Sequence, residues 1–279
     1  MIPRQFDARR QRGGRGFGGF TLIELLVTIG VIGVMAGLLL PAAAKSKARA
    51  QQTRCLSNTR MLTMAAFMYG NDYGRRPGYT NPALPAGTWM GTLVNEIKND
   101  GARLCPLTQA PSRVTAGKDL DGDAGTEWVR WTSDAGTSFR GAYGYNGWLY
   151  SDGLVDGVSE HDRSLFFGRG DGALPAAETP VFFDENWVDT WPLETDQPAG
   201  DLYRGASFYD RTDEIGRCAI ARHGAGAVKG PAPRRRGMPL PGAINVGMAD
   251  GHAALLKIGD LWGLSWHAGW QTPVFIPGL

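Results

Sequence analysis

The sequence predicts an α+β protein in which one long N-terminal helix, partly membrane-spanning, packs on an antiparallel β-sheet domain. Three observations predict it. Residues 20–44 form an apolar run that carries a single charge, Glu24. The next stretch, KSKARAQQTRCLSNTRMLTMAAFMYGND, is rich in helix formers and contains no proline. From Arg75 onward the composition turns to Gly, Pro, Trp and Tyr, which suits short strands and long turns.

The chain has 279 residues, of which 43 % are hydrophobic and 20 % charged, enough for one or two domains with a sizeable core. Its net charge of +2 gives no reason to expect a nucleic-acid partner. The positive charge sits in the leader, where Arg4, Arg9, Arg10, Arg12 and Arg15 face only Asp7. The 25 residues of the apolar run span roughly 37 Å as a helix, enough to cross a bilayer. Arginines ahead of the run place the N-terminus in the cytoplasm and the rest outside. An ordinary secretory signal would have a shorter apolar stretch, although LLLPAAAK offers small residues for a cut. A plain anchor fits the length but leaves Glu24 unexplained, because a carboxylate in lipid is costly without a partner.

GFTLIELL behind a basic leader resembles the N-terminus of type IV prepilins and type II secretion pseudopilins. The resemblance implies a pilin-like fold and a cut by a membrane prepilin peptidase between Gly19 and Phe20. The same enzyme would methylate the new Phe20 amine. Glu24 falls where that family keeps its glutamate, and Gly33 and Pro41 fall where many pilins carry Gly and Pro. Implied partners are the peptidase/methyltransferase and other pilin or pseudopilin subunits. The implied location is the bacterial inner membrane, single-pass, with the C-terminal domain periplasmic, and then a pilus or pseudopilus. The implied division is a cleaved leader at 1–19, an assembly helix at 20–44, its extramembrane continuation at 45–72 and a β-rich domain at 75–279.

Physical reasoning supports each part of this helix. In a bundle, Glu24 can accept a charge-assisted hydrogen bond from the Phe20 amine of a neighbouring subunit, offsetting its burial and fixing the stagger. Gly30, Gly33 and Gly37 permit close helix approach. Pro41 removes the bond to the Gly37 carbonyl and predicts a kink or local melting between Gly33 and Pro41. Beyond the membrane, Leu56, Thr59, Leu62 or Thr63, Ala66 and Tyr69 recur at helical spacing, and Gly70, Asn71 and Asp72 read as stop signals.

The outer domain reads as a short helix around Trp89–Ile97, then strands near Ala142–Tyr150, Leu165–Gly168, Pro180–Asp184 and Ile215–Arg222, and a final hairpin. In AINVGMADGHAALLKI, Asp250-Gly251 predicts a two-residue type I′ turn, with Val246 facing Leu255 and Met248 facing Ala253. CLSNTRMLTMAAFMYGND, LCP, YGYN and RHG…INVGMADGH are similar to prepilin-like proteins of planctomycete and verrucomicrobial type with a C-terminal His…Asp-Gly signature. Here 26 residues separate His223 from Asp250, because a basic Pro/Gly-rich loop at 226–242 is inserted. That spacing departs from the signature's local His-to-Asp geometry.

His223, His252, Asp250 and Asp184 can be read as a metal or acid–base cluster. The plainer reading makes Asp250 and Gly251 a structural turn and the histidines strand ends, since no HExxH or CxxC spacing is present. Asp119, Asp121 and Asp123 alternate as calcium ligands do, but Ala124 stands where a calcium loop has glycine and Arg130 where it has glutamate. A looser calcium loop and a solvated acidic turn are the two readings, and no other cofactor is implied. Cys55, Cys105 and Cys218 lie on the oxidising side, so one disulfide with one free thiol stands against a reduced buried trio. A Cys55–Cys105 bond would tie the helix to the domain. No nucleophile elbow, phosphate loop or dinucleotide fingerprint occurs. The chain therefore reads as a structural subunit rather than an enzyme. The alternative is a membrane-tethered glycan-binding or hydrolytic domain, for which the nine tryptophans would line a cleft.

Overall fold

The computed structural model describes residues 19–79, 88–93, 96–97, 99–131, 138–151, 161–168, 174–210, 212–235 and 237–279. Most of the expected leader lies outside the described residues. The chain divides into two compact units that part at Ala48, and α1, Leu22–Tyr73, contributes to both.

In the first unit, the apolar side chains of α1 from Leu22 to Leu40 are exposed. Among the described residues this is the one helix long and apolar enough to cross a membrane. The helix runs unbroken through Pro41, so the melting predicted before it is absent. Proline removes one N–H donor, to the Gly37 carbonyl, and the flanking ladder bonds suffice to keep the helical assignment.

In the second unit, α1 buries Cys55, Asn58, Thr59, Leu62, Thr63, Ala65, Ala66 and Tyr69, a stripe at three-to-four spacing. Leu56 is only half-buried, so the face centres on Cys55 rather than on its neighbour. The helix also continues past Gly70, Asn71 and Asp72. It stops at Gly74, whose φ of +63° suits the left-handed residue that closes a helix.

The main sheet has five strands in the order β5-β3-β4-β6-β7. They are β3 Tyr143–Asn146, β4 Pro180–Asp184, β5 Asp189–Thr190, β6 Ala243–Met248 and β7 Ala253–Lys257. All pairings are antiparallel except β3 with β5, so the sheet is mixed rather than purely antiparallel. A separate two-stranded sheet joins β1 Trp128–Trp131 to β2 Ser138–Gly141. The short helix α2 covers Thr88–Thr92, less than predicted. β6 is buried along its whole length. α1 approaches it closely at Gly247, where a Cβ would overlap the Thr63 hydroxyl.

Two predicted strands are not strands. Arg163–Leu165 forms a 3-10 turn, and the residues that follow it are irregular. Glu214–Arg217 is also a 3-10 turn, and the buried run after it joins the sheet only at the His223–Ala243 bridge. Its backbone groups bond elsewhere: Ala221 N–H donates to the Leu202 carbonyl and Val228 N–H to the Ala221 carbonyl. A buried apolar run needs partners for its amides, and loops can supply them as well as a ladder does.

The hairpin exists, but its register differs by one residue. Asn245 faces Leu255, Val246 faces Ala254 and Gly247 faces Ala253. The Met248 and His252 backbones bond across a three-residue loop, and only Gly251 has positive φ, at +89°. This is the three-residue loop closed by a left-handed glycine, not a type I′ turn. Within the 226–242 insert, Arg234 is tied down: its N–H donates to the Gly200 carbonyl and its guanidinium to the Gly278 carbonyl.

Candidate functional site

The N-terminal head of α1 is built by Thr21. As the residue before the first turn, it offers its hydroxyl to the Glu24 N–H at 3.2 Å. In return, Glu24 Oε2 accepts the Thr21 N–H at 2.9 Å and the Thr21 hydroxyl at 2.8 Å. This reciprocal capping box satisfies amide donors that the start of a helix otherwise leaves open. No described residue donates to Oε1, so that oxygen is available to a donor from outside. Phe20 precedes the cap with its ring exposed, and Gly19 has open space around its α-carbon. Thr21 was legible in the sequence: Thr-Leu-Ile-Glu ahead of an apolar run is the capping-box pattern. Gly33 likewise meets no neighbouring atoms in the single chain.

The signature residues fall into two separate pairs. Asp250 lies in the hairpin loop, where Oδ1 accepts the His252 N–H at 3.0 Å and contacts His252 Nδ1 at 2.6 Å. The backbone bond from His252 holds the Asp250 carboxyl below its usual range. This is a local turn device in an exposed loop.

His223 is fully buried and pairs instead with Asp184, Nε2 to Oδ2 at 3.1 Å. Asp184 ends β4, beside the bridge that holds His223 against Ala243. It also receives Arg222 at 3.1 Å, the Asn245 backbone N–H at 2.6 Å and the Asn245 side-chain amide at 3.1 Å. Burial alone would raise its carboxyl, but His223, Arg222 and the Asn245 N–H outweigh burial and bring it down to about 2. Arg222 further donates to the carbonyls of Asp123, Ala124, Ala142 and Glu185. Such a buried charge persists because every side of it is bonded.

Cys55 of α1 and Cys105 are joined in a disulfide, and Cys218 is a free buried thiol. Asn58 donates to the Leu104 carbonyl at 2.8 Å and Tyr143 to the Cys55 carbonyl at 3.3 Å, so the bond lies in a braced junction. The three aspartates of the candidate calcium loop point to different partners. Asp119 pairs with Arg130, Asp121 accepts from Ser207 and Phe208, and Asp123 accepts the Gly125 N–H. Among the described residues, the group of side chains close enough to share an ion is Cys55, Cys105 and His223. Five of the nine tryptophans, Trp89, Trp128, Trp148, Trp262 and Trp266, are fully buried core residues, while Trp270 lines a surface pocket with Phe166, Phe167 and His267.

Residues 14–40 match the family model described as a prokaryotic N-terminal methylation motif. Over 125 residues the chain is 33 % identical to type II secretion system core protein G of Aeromonas hydrophila, covering 39 % of this chain and 87 % of that protein. Over 215 residues it is 32 % identical to the type IV major pilin protein PilA of Myxococcus xanthus (strain DK1622), covering 70 % of this chain and 91 % of that protein. It is also 35 % identical over 79 residues to fimbrial protein EcpC of Eikenella corrodens, covering 28 % of this chain and 52 % of that protein. No solved structure matches at the same stringency.

Proposed function

The chain belongs to the type IV pilin and type II secretion pseudopilin family, and from that premise we propose where it is cut and what its membrane carboxylate does. It is a structural subunit of a type IV pilus or a type II secretion system, and not an enzyme. The methylation motif implies processing by a prepilin peptidase, and the family implies polymerisation with other pilins. The apolar helix suits anchoring in the inner membrane before assembly.

The peptidase cuts between Gly19 and Phe20 and methylates the Phe20 amine, leaving 20–44 as the membrane and assembly helix and 45–72 as its continuation. The domain from residue 75 lies in the periplasm and belongs to the subgroup with the His…Asp-Gly signature. The observation that carries this reading is the basic leader meeting Gly-Phe-Thr-Leu-Ile-Glu at the first turn of α1. Glu24 Oε1, left open by the cap, receives the Phe20 amine of the next subunit. Gly33 and Pro41 shape that helix for close packing. Co-expression with a prepilin peptidase tests the reading: the wild-type chain shortens on a gel, and Gly19→Leu does not. Equal processing of the two chains would contradict it.

A further inference from the structure

The structure places three zinc-type ligands around one buried point. The ligand atoms of Cys55, Cys105 and His223 all lie within 4.8 Å of one another, and all three residues are buried. His223 Nε2 is 3.8 Å from Cys105 Sγ. Two ligands of these types on one tetrahedral zinc stand about 3.6 Å apart, given metal–sulfur and metal–nitrogen bonds of about 2.3 and 2.0 Å. A disulfide has no need of an imidazole at that distance. Asp184 Oδ2, 3.1 Å from the same nitrogen, supplies an adjacent oxygen, and His223 Nδ1 has no partner.

We propose that, in the dithiol form, Cys55, Cys105 and His223 bind a single thiophilic divalent cation of the zinc type. The disulfide and the cation are then alternative clasps on the same two points, α1 at residue 55 and the loop at residue 105. Binding exchanges two S–H bonds and the Nε2–H bond of His223 for two metal–sulfur bonds and one metal–nitrogen bond. The thiol protons go to solvent, the Nε2 proton moves to the unpartnered Nδ1 or, from a doubly protonated ring, also goes to solvent, and no electron is transferred. The two sulfurs must separate to roughly 3.7 Å, the spacing across a tetrahedron of that size. Every chain leaves the ribosome as the dithiol, so the cation can clasp the helix to the domain before oxidation does. The inference is independent of the filament reading, since it concerns only the folded domain.

The test uses the full chain in detergent, reduced with a phosphine, and cobalt(II) as the probe. The expected result is one equivalent bound, with thiolate-to-cobalt absorption in the near ultraviolet that zinc abolishes. The oxidised chain binds none, Cys55→Ser loses the thiolate absorption, and His223→Asn weakens binding at least about tenfold, as the loss of one ligand should. Asparagine can still donate to Asp184, so that variant has a route to folding. Should it fail to fold, alkylation of the wild-type dithiol decides: zinc must slow modification of the peptides holding Cys55 and Cys105. Absence of stoichiometric uptake by the reduced chain, unweakened binding by folded His223→Asn, or unprotected thiols would overturn the proposal.

Discussion

Thr21 and Glu24 bond each other twice through one carboxylate oxygen and once through the Thr21 hydroxyl, closing the first turn of α1 within a single subunit. Glu24 thus has a task within the single subunit, and this cap can be separated by mutation from the assembly role we propose for it. Glutamine also serves at the third position of a capping box. Glu24→Gln should therefore keep helix content near wild type in detergent while filament recovery falls to background. Thr21→Val should lower helix content and still assemble. Circular dichroism and shearing assays read the two effects. Normal assembly of Glu24→Gln would show that the charge is dispensable.

Gly247 sets how closely α1 approaches β6. A Cβ there meets the Thr63 hydroxyl, so Gly247→Ala should cost about 1–3 kcal/mol, as overpacking does. Combining it with Thr63→Ala should recover part of that loss, because the two sites share one contact. Additive losses in denaturant unfolding would mean that the helix and sheet meet elsewhere.

Gly251 is required by its backbone, not by crowding. Its φ is +89°, yet an added Cβ would only touch Met64 and Phe67 at ordinary distances. Gly251→Ala should cost about 1–2 kcal/mol, the penalty of a side chain in the left-handed region. Asp250→Asn should be mild, since asparagine keeps the bond from the His252 N–H. The melting temperatures of the two variants check both statements.

Buried carboxylates give the domain opposing pH responses. Burial pushes Asp189 and Asp196 up to about 6, against the bonds they accept from Tyr150 and from Leu193 and Ile215. Because their folded values are raised, their contribution is fully present at low pH and is lost as pH rises through about 6. Asp184, lowered to about 2, works the other way: its contribution is present above the ordinary carboxylate range and is lost as pH falls through about 2. Melting temperature should therefore rise from about pH 7 to about pH 5 and fall steeply below about pH 3. Asp196→Asn, which keeps an acceptor oxygen, should stabilise the protein at neutral pH and leave it unchanged at about pH 4. A variant that melts alike to wild type at both values would remove Asp196 from the account.

What was legible in the sequence was the part governed by local pattern. The apolar run, the helical stripe through Leu62 and Tyr69 and the strands of the last hairpin depend on periods that a reader can count. The hairpin register was not legible, because Asp-Gly can occupy both loop residues or the last two of three. One residue of difference then re-pairs every partner. The run from Ile215 to Arg222 misled because burial, not strand pairing, explains its apolar character. Asp184 and His223 were read together in the sequence, but alongside His252 and Asp250, which pair with each other elsewhere; Arg222 and Asn245 were missed, because only the fold brings them to Asp184. The cap of Thr21 on Glu24 is the reverse case: its four-residue pattern stands in the sequence, yet reading Glu24 only as an intersubunit acceptor passed over it.

We propose that this pilin subunit is matured at the Gly19–Phe20 junction. Mass spectrometry of the N-terminal peptide, from membrane and sheared-filament fractions, tests it most directly. The expected peptide begins at Phe20, and its amine carries one methyl group. A mature chain beginning at Lys45, as removal of an ordinary signal peptide would leave, contradicts it.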